Sequence, residues 1–123
     1  MSPPNRSSYK SSRPALSVAD SKPIRVVIAA EQSPFRNTLR GQLEREPGIQ
    51  IVGEAHDSRV ARELTGRLKP DILFIECALN REFAISGSSS SLNTSVVVLV
   101  AIAEIQNIVE AFELGAKGVV LKS

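Results

Sequence analysis

Lys69-Pro70-Asp71-Ile72-Leu73-Phe74-Ile75-Glu76 is the stretch on which the reading of this chain turns. Proline cannot continue a helical ladder and biases the residue before it toward extended backbone, so Lys69-Pro70 ends whatever helix precedes it. Ile72 to Ile75 is then an unbroken apolar run, within a strand spanning Asp71 to Glu76. Continuous rather than alternating hydrophobicity is the mark of a strand covered on both faces, as in parallel sheets. Runs of the same kind lie on either side: Ile24-Arg25-Val26-Val27-Ile28-Ala29, Ile49 to Val52, Ser95 to Ala101 around Val96-Val97-Val98-Leu99-Val100, and Gly118 to Lys122.

Helical patterns separate these runs. Ser33-Pro34 supplies a cap and a proline at the first helical position. Phe35, Leu39 and Leu43 then form one apolar stripe, with Arg36, Arg40 and Glu44 between them, until Pro47-Gly48. Asp57-Ser58 caps a second helix that turns Val60, Ala61, Leu64 and Leu68 inward. Ile105, Ile108, Val109 and Phe112 mark another, with Gly115 at its C-terminal cap. The segment 77–94 is the weak link. Ala78 to Ile85 is expected to form a short helix with Leu79, Phe83 and Ile85 inward, and Ser86-Gly87-Ser88-Ser89-Ser90-Ser91 reads as a flexible loop. Strand alternating with helix predicts a doubly wound α/β parallel sheet, whose active sites lie at the C-terminal strand ends.

The chain has 123 residues, of which 42% are apolar and 4% aromatic, so one domain with an aliphatic core is expected. Residues 1–22 hold Arg6, Lys10, Arg13 and Lys22 against Asp20 alone and offer little to bury, which predicts a disordered Ser/Pro/Arg-rich tail before a domain over 23–123. The pI near 9.0 therefore describes that tail more than a nucleic-acid-binding face. A single cysteine, Cys77, excludes an internal disulfide and fits a cytoplasmic protein. No run approaches the ~20 apolar residues of a membrane helix, so no membrane partner is expected.

Six segments in order resemble a response-regulator receiver domain of the CheY-like superfamily, NarL/FixJ type. They are Ile24-Arg25-Val26-Val27-Ile28-Ala29, Leu43-Glu44-Arg45-Glu46-Pro47, Ile51-Val52-Gly53-Glu54-Ala55, Lys69-Pro70-Asp71, Glu110-Ala111-Phe112-Glu113-Leu114-Gly115-Ala116 and Gly118-Val119-Val120-Leu121-Lys122. The resemblance spans residues 23 to 123 and implies a flavodoxin-like five-stranded sheet of order 2-1-3-4-5. It also implies a phosphoryl-accepting aspartate ending the third strand, two acidic residues for Mg²⁺ after the first, a hydroxyl ending the fourth, and an aromatic residue and a lysine in the fifth. Phosphoryl transfer depends on such positioning and charge neutralisation.

Carried over residue by residue, most of these requirements fail. The acceptor position is Glu76, the acidic pair is Ala30-Glu31, the hydroxyl position is Val100 and the aromatic position is Val119. Asn80 stands where a proline usually follows the acceptor; only Glu31 and Lys122 keep the expected charge. Glu76 is thus either a stand-in for a phosphorylated aspartate, held by Lys122, or half of a leftover structural ion pair. His56 reads as an exposed turn residue, and Cys77 as a small buried hydrophobe or, with a low-pKa thiol, a redox group. No catalytic triad, Gly-rich phosphate loop or metal motif is present, so no enzymatic activity, cofactor or metal is expected.

The resemblance implies a further helix after the fifth strand, and its absence from this chain leads to an expectation that Val26, Ile28, Leu73, Ile75 and Val120 are left part-exposed. It also implies a longer parent protein with a LuxR-type DNA-binding domain, so that DNA is a partner only through a domain outside this chain. A homodimer, or a regulatory protein partner, is expected across Ile105, Ile108, Val109, Phe112 and Val119. The leading expectation is a phosphorylation-independent pseudo-receiver. The alternatives are a conventional phosphorelay receiver with relaxed chemistry, or a small-ligand-binding α/β domain using a pocket between Ala30, Glu76 and Val100.

Overall fold

The computed structural model describes residues 22–86 and 93–122. The expected tail over 1–21 and most of the serine-rich run fall outside them. Five strands, β1 (Ile24–Ala29), β2 (Ile49–Ala55), β3 (Ile72–Glu76), β4 (Ser95–Val100) and β5 (Gly118–Leu121), form one parallel sheet of order β2-β1-β3-β4-β5. The helices are α1 (Ser33–Glu44), α2 (Ser58–Leu68), α3 (Cys77–Ser86) and α4 (Ile108–Glu113), with a 3-10 turn over Ile102–Asn107 before α4. This is the doubly wound architecture that the strand–helix alternation predicts.

Local chemistry sets the element ends. Asp57 accepts a hydrogen bond from the Val60 amide at 2.8 Å, as expected of an N-cap. That bond, more than the neighbouring His56 and Arg59, holds the Asp57 carboxyl below its ordinary value. At the far end of α2, Lys69 takes a left-handed conformation with φ 48°. Arg25 donates from its guanidinium to Leu68 O at 2.7 Å and Lys69 O at 3.1 Å, so a β1 side chain satisfies carbonyls that the helix cannot. Gly115, at φ 106°, closes α4 with bonds from its own amide to Phe112 O and from Ala116 to Ala111 O, a Schellman pair. The start of α1 differs from expectation: Gln32 is the cap residue and makes no side-chain cap bond, while Ser33 already lies inside the helix. Its hydroxyl is instead accepting from Arg36 at 3.1 Å.

β2 runs three residues beyond its expected end at Val52, reaching Ala55. Its register with β1 slips between Val26, opposite Ile51, and Val27, opposite Gly53. Val52 is the extra residue of this bulge. At Gly53 the helix α2 comes close: an added Cβ would stand 3.3 Å from both Leu64 Cδ1 and Leu68 Cδ1.

The main core fills the space between the sheet and α2, α3 and α4. Val27, Ala29, Leu73, Ile75, Val98 and Val100 meet Ala61, Leu79, Phe83 and Ala111 there. Leu79 and Phe83 are buried as expected, but Ile85 is 69% exposed, one helical step off the inner face. Val26, Ile28, Leu73 and Ile75, expected to be part-exposed, are all completely buried; only Val120, at 47%, is open. The register explains the burial of Leu73 and Ile75. Leu73 pairs with Val27 and Phe74 with Ile28, so Leu73 and Ile75 face the α2–α3 core, opposite to Val26 and Ile28. On that opposite side a groove of about 360 Å³ lies between α1 and the end of the sheet, lined by Phe35, Leu39, Leu99, Val120 and Lys122 among others. Among the described residues no helix is long and apolar enough to cross a membrane.

Candidate functional site at the strand ends

Glu76 is the last residue of β3, and α3 begins at Cys77 with no loop between them. That abrupt join fixes where the carboxylate can point. Glu76 is 5% exposed, and both of its oxygens are engaged. Oε1 accepts from the backbone amide of Glu31 at 2.6 Å, and Oε2 accepts from Lys122 Nζ at 2.7 Å. Glu31 thus contributes its main chain, while its side chain is exposed. Ala30 is fully buried between two backbone bonds: its amide donates to Ala55 O at 3.0 Å and its carbonyl accepts from Arg36 at 2.6 Å.

Lys122 follows β5 and extends the ladder by donating its amide to Val100 O at 2.8 Å. Its stem must therefore cross the end of β4 to reach Glu76. Val100, at the position where the resemblance asks for a hydroxyl, is completely buried in the main core. The strand ends bring Ala30, Glu31, Glu76, Val100 and Lys122 together, as the sequence positions imply. The geometry is that of a buried carboxylate neutralised by one ammonium and one amide.

These residues do not fit a bound Mg²⁺. The hard cation wants several carboxylate or phosphoryl oxygens in octahedral array. Ala30 offers none, and both Glu76 oxygens already accept bonds. Among the described residues no group of three or more His, Cys, Asp or Glu side chains is placed to hold a metal ion. Ala30, Glu76 and Val100, the residues of the expected small-ligand pocket, are 0%, 5% and 0% exposed. The groove beside α1 reaches the site at Lys122.

Cys77 is partly buried, and desolvation, followed by the charge of Glu104, pushes its thiol pKa up. A thiol held protonated is a poor redox sensor. His56 is exposed, 3.4 Å from Asp57. One participant escaped the sequence reading: the Phe35 ring, whose centroid lies 4.8 Å from Lys122 Nζ. Phe35 reads in sequence as one more residue of the α1 stripe, and no spacing rule links it to residue 122.

No protein-family model matches the chain. The signal receiver domain of NarL from Mycobacterium tuberculosis superposes with a TM-score of 0.75 at 27% identity, covering 82% of this chain and 85% of that one. The described chain forms a response-regulator receiver domain. Among curated relatives, the transcriptional regulatory protein PdtaR of M. tuberculosis is 34% identical over 103 residues, 81% of this chain and 50% of that protein. A protein-glutamate methylesterase/protein-glutamine glutaminase of Xanthomonas campestris pv. campestris is 39% identical over 59 residues, 48% of this chain. The chain spans half the length of the first of these relatives, and the match to the second covers only 16% of it. In this receiver the Glu76–Lys122 pair lies at the C-terminal strand ends, where open α/β sheets place their sites.

Proposed function

We propose that this receiver domain acts without phosphoryl transfer, as a cytoplasmic pseudo-receiver that serves as a regulatory and dimerisation module of a transcriptional regulator. The observation that carries the reading is the state of Glu76. Each of its two oxygens already accepts a hydrogen bond, one from Glu31 N–H and one from Lys122 Nζ. An acceptor must present a free oxygen to an incoming phosphorus in line with its leaving group, with cations ready for the added charge. Here the local cation is already neutralised, and Val100 has no proton to donate to a phosphoryl oxygen. The PdtaR relative's name supports the assignment to transcription. The LuxR-type DNA-binding domain of the parent protein rests on the resemblance of the six segments.

The test is incubation with acetyl phosphate or phosphoramidate and millimolar Mg²⁺, followed by intact mass spectrometry. No added phosphate is expected. Stoichiometric phosphate on Glu76, together with Mg²⁺ binding at Glu31 and Glu76, would establish the conventional phosphorelay reading instead.

The dimerisation part of the proposal rests on the face of α4 and the turn before it. Ile105, Val109 and Phe112 are 47%, 66% and 50% exposed, whereas Ile108 and Val119 pack against the core and leave the face. Three exposed apolar residues in one stripe suit a partner surface. Phe112→Glu is expected to weaken self-association by about tenfold or more, because a central aromatic anchor is replaced by a charge. Light scattering coupled to size exclusion checks this; an unchanged dimer fraction, or a wild-type chain that stays monomeric at high concentration, removes dimerisation through this face.

A further inference from the structure

We infer that Phe35 is a positioning residue for the site: its ring holds the Lys122 ammonium on Glu76, and so ties the first turn of α1 to the strand ends. Lys122 Nζ has three N–H donors, and one goes to Glu76 Oε2 at 2.7 Å. The ammonium meets that carboxylate on one side and the Phe35 ring, 4.8 Å away at its centroid, on another. An ammonium within about 6 Å of a ring centroid is attracted by the negative π face. The attraction matters here because of how Lys122 is tethered. Its backbone is fixed by the bond to Val100 O, but the stem has to bridge past β4, and its side chain is 24% exposed. A flexible, partly solvated stem held from one side alone swings into water. Held between carboxylate and ring, it stays. The ring thus supplies a second restraint on the charge beside the carboxylate.

The inference rests on this geometry and does not depend on whether Glu76 ever takes a phosphoryl group; a phosphate added to Glu76 would sink the pseudo-receiver reading and leave this one standing. The test is brief acetylation of the full chain with a water-soluble amine-acylating reagent, with modification of Lys122 scored by peptide mass spectrometry relative to exposed Lys117. Lys69, also exposed, reports any general loosening. Phe35→Leu is expected to raise the Lys122 to Lys117 ratio by about two- to fivefold, the scale of an exposed cation–π contact. Phe35→Tyr, which keeps a ring, is expected to stay at the wild-type ratio, and Gln42→Ala, which opens the same groove about two turns along α1, is expected to do the same. Should Phe35→Leu unfold the chain, with Lys69 rising as well, Phe35→Met is read in its place. An unchanged ratio in the ringless variant, or equal rises in Phe35→Tyr or Gln42→Ala, overturns the inference.

Discussion

Lys122→Ala is expected to lower the unfolding free energy by about 3 kcal/mol, at the lower end of the 3–5 kcal/mol typical when one half of a buried ion pair is removed. The reason lies in the partner left behind. Glu76 is 5% exposed and would keep one donor, the Glu31 amide, for a full negative charge. The lower end applies because the Lys122 side chain is 24% exposed, so water already reaches part of the pair. Glu76→Gln should cost less: its amide oxygen still accepts from Glu31 N–H, and the freed ammonium can turn outward to solvent. Urea unfolding followed by circular dichroism measures both. A loss below about 1 kcal/mol for Lys122→Ala would mean that the pair behaves like an exposed surface bridge. Its restraint on the strand ends would then be too weak to hold any fixed shape.

That pair also shows what the sequence made legible. Glu76 and Lys122 stand at the ends of two apolar runs, and parallel strands in a doubly wound sheet bring such ends together whatever lies between. Topology alone therefore assembled Ala30, Glu31, Glu76, Val100 and Lys122. Caps with a local chemical cause were equally legible: Asp57 before α2, Gly115 after α4. What failed depended on phase. Leu73 and Ile75 face away from Val26 and Ile28, a phase that the uniform hydrophobicity of β3 cannot reveal, because either face would accept these side chains. Ile85 is ambiguous for a similar reason, since the apolar residues of α3 are spread around the helix with little periodicity. The β2 bulge at Val52, the Arg25 bonds onto α2 and the Phe35 ring over Lys122 are long-range contacts between unlike elements, and no spacing along the chain encodes them.

The helix α3 is where that weak periodicity can be put to a measurement. Phe83→Ala is expected to cost about 3–5 kcal/mol, the range for deleting a buried phenyl ring. Phe83 is 2% exposed, and with Leu79 at 7% it supplies the large apolar anchor of α3 on the sheet. Small domains are stable by roughly 5–15 kcal/mol in total, so this single truncation removes a large share. Two polar ties cannot replace it. Ser58 Oγ donates to Glu82 at 2.6 Å and Arg81 pairs with Glu110, linking α3 to α2 and α4, but both depend on the helix already being seated. Ile85→Ala is the internal comparison: at 69% exposure it should change stability by no more than about 0.5 kcal/mol. Urea midpoints for the two variants decide the matter. Equal losses would place Ile85 in the core as the sequence first suggested, and a Phe83→Ala loss under about 1 kcal/mol would mean that α3 is not anchored on β3 and β4, leaving Glu76 without the fixed strand–helix junction that aims its carboxylate at Glu31 and Lys122.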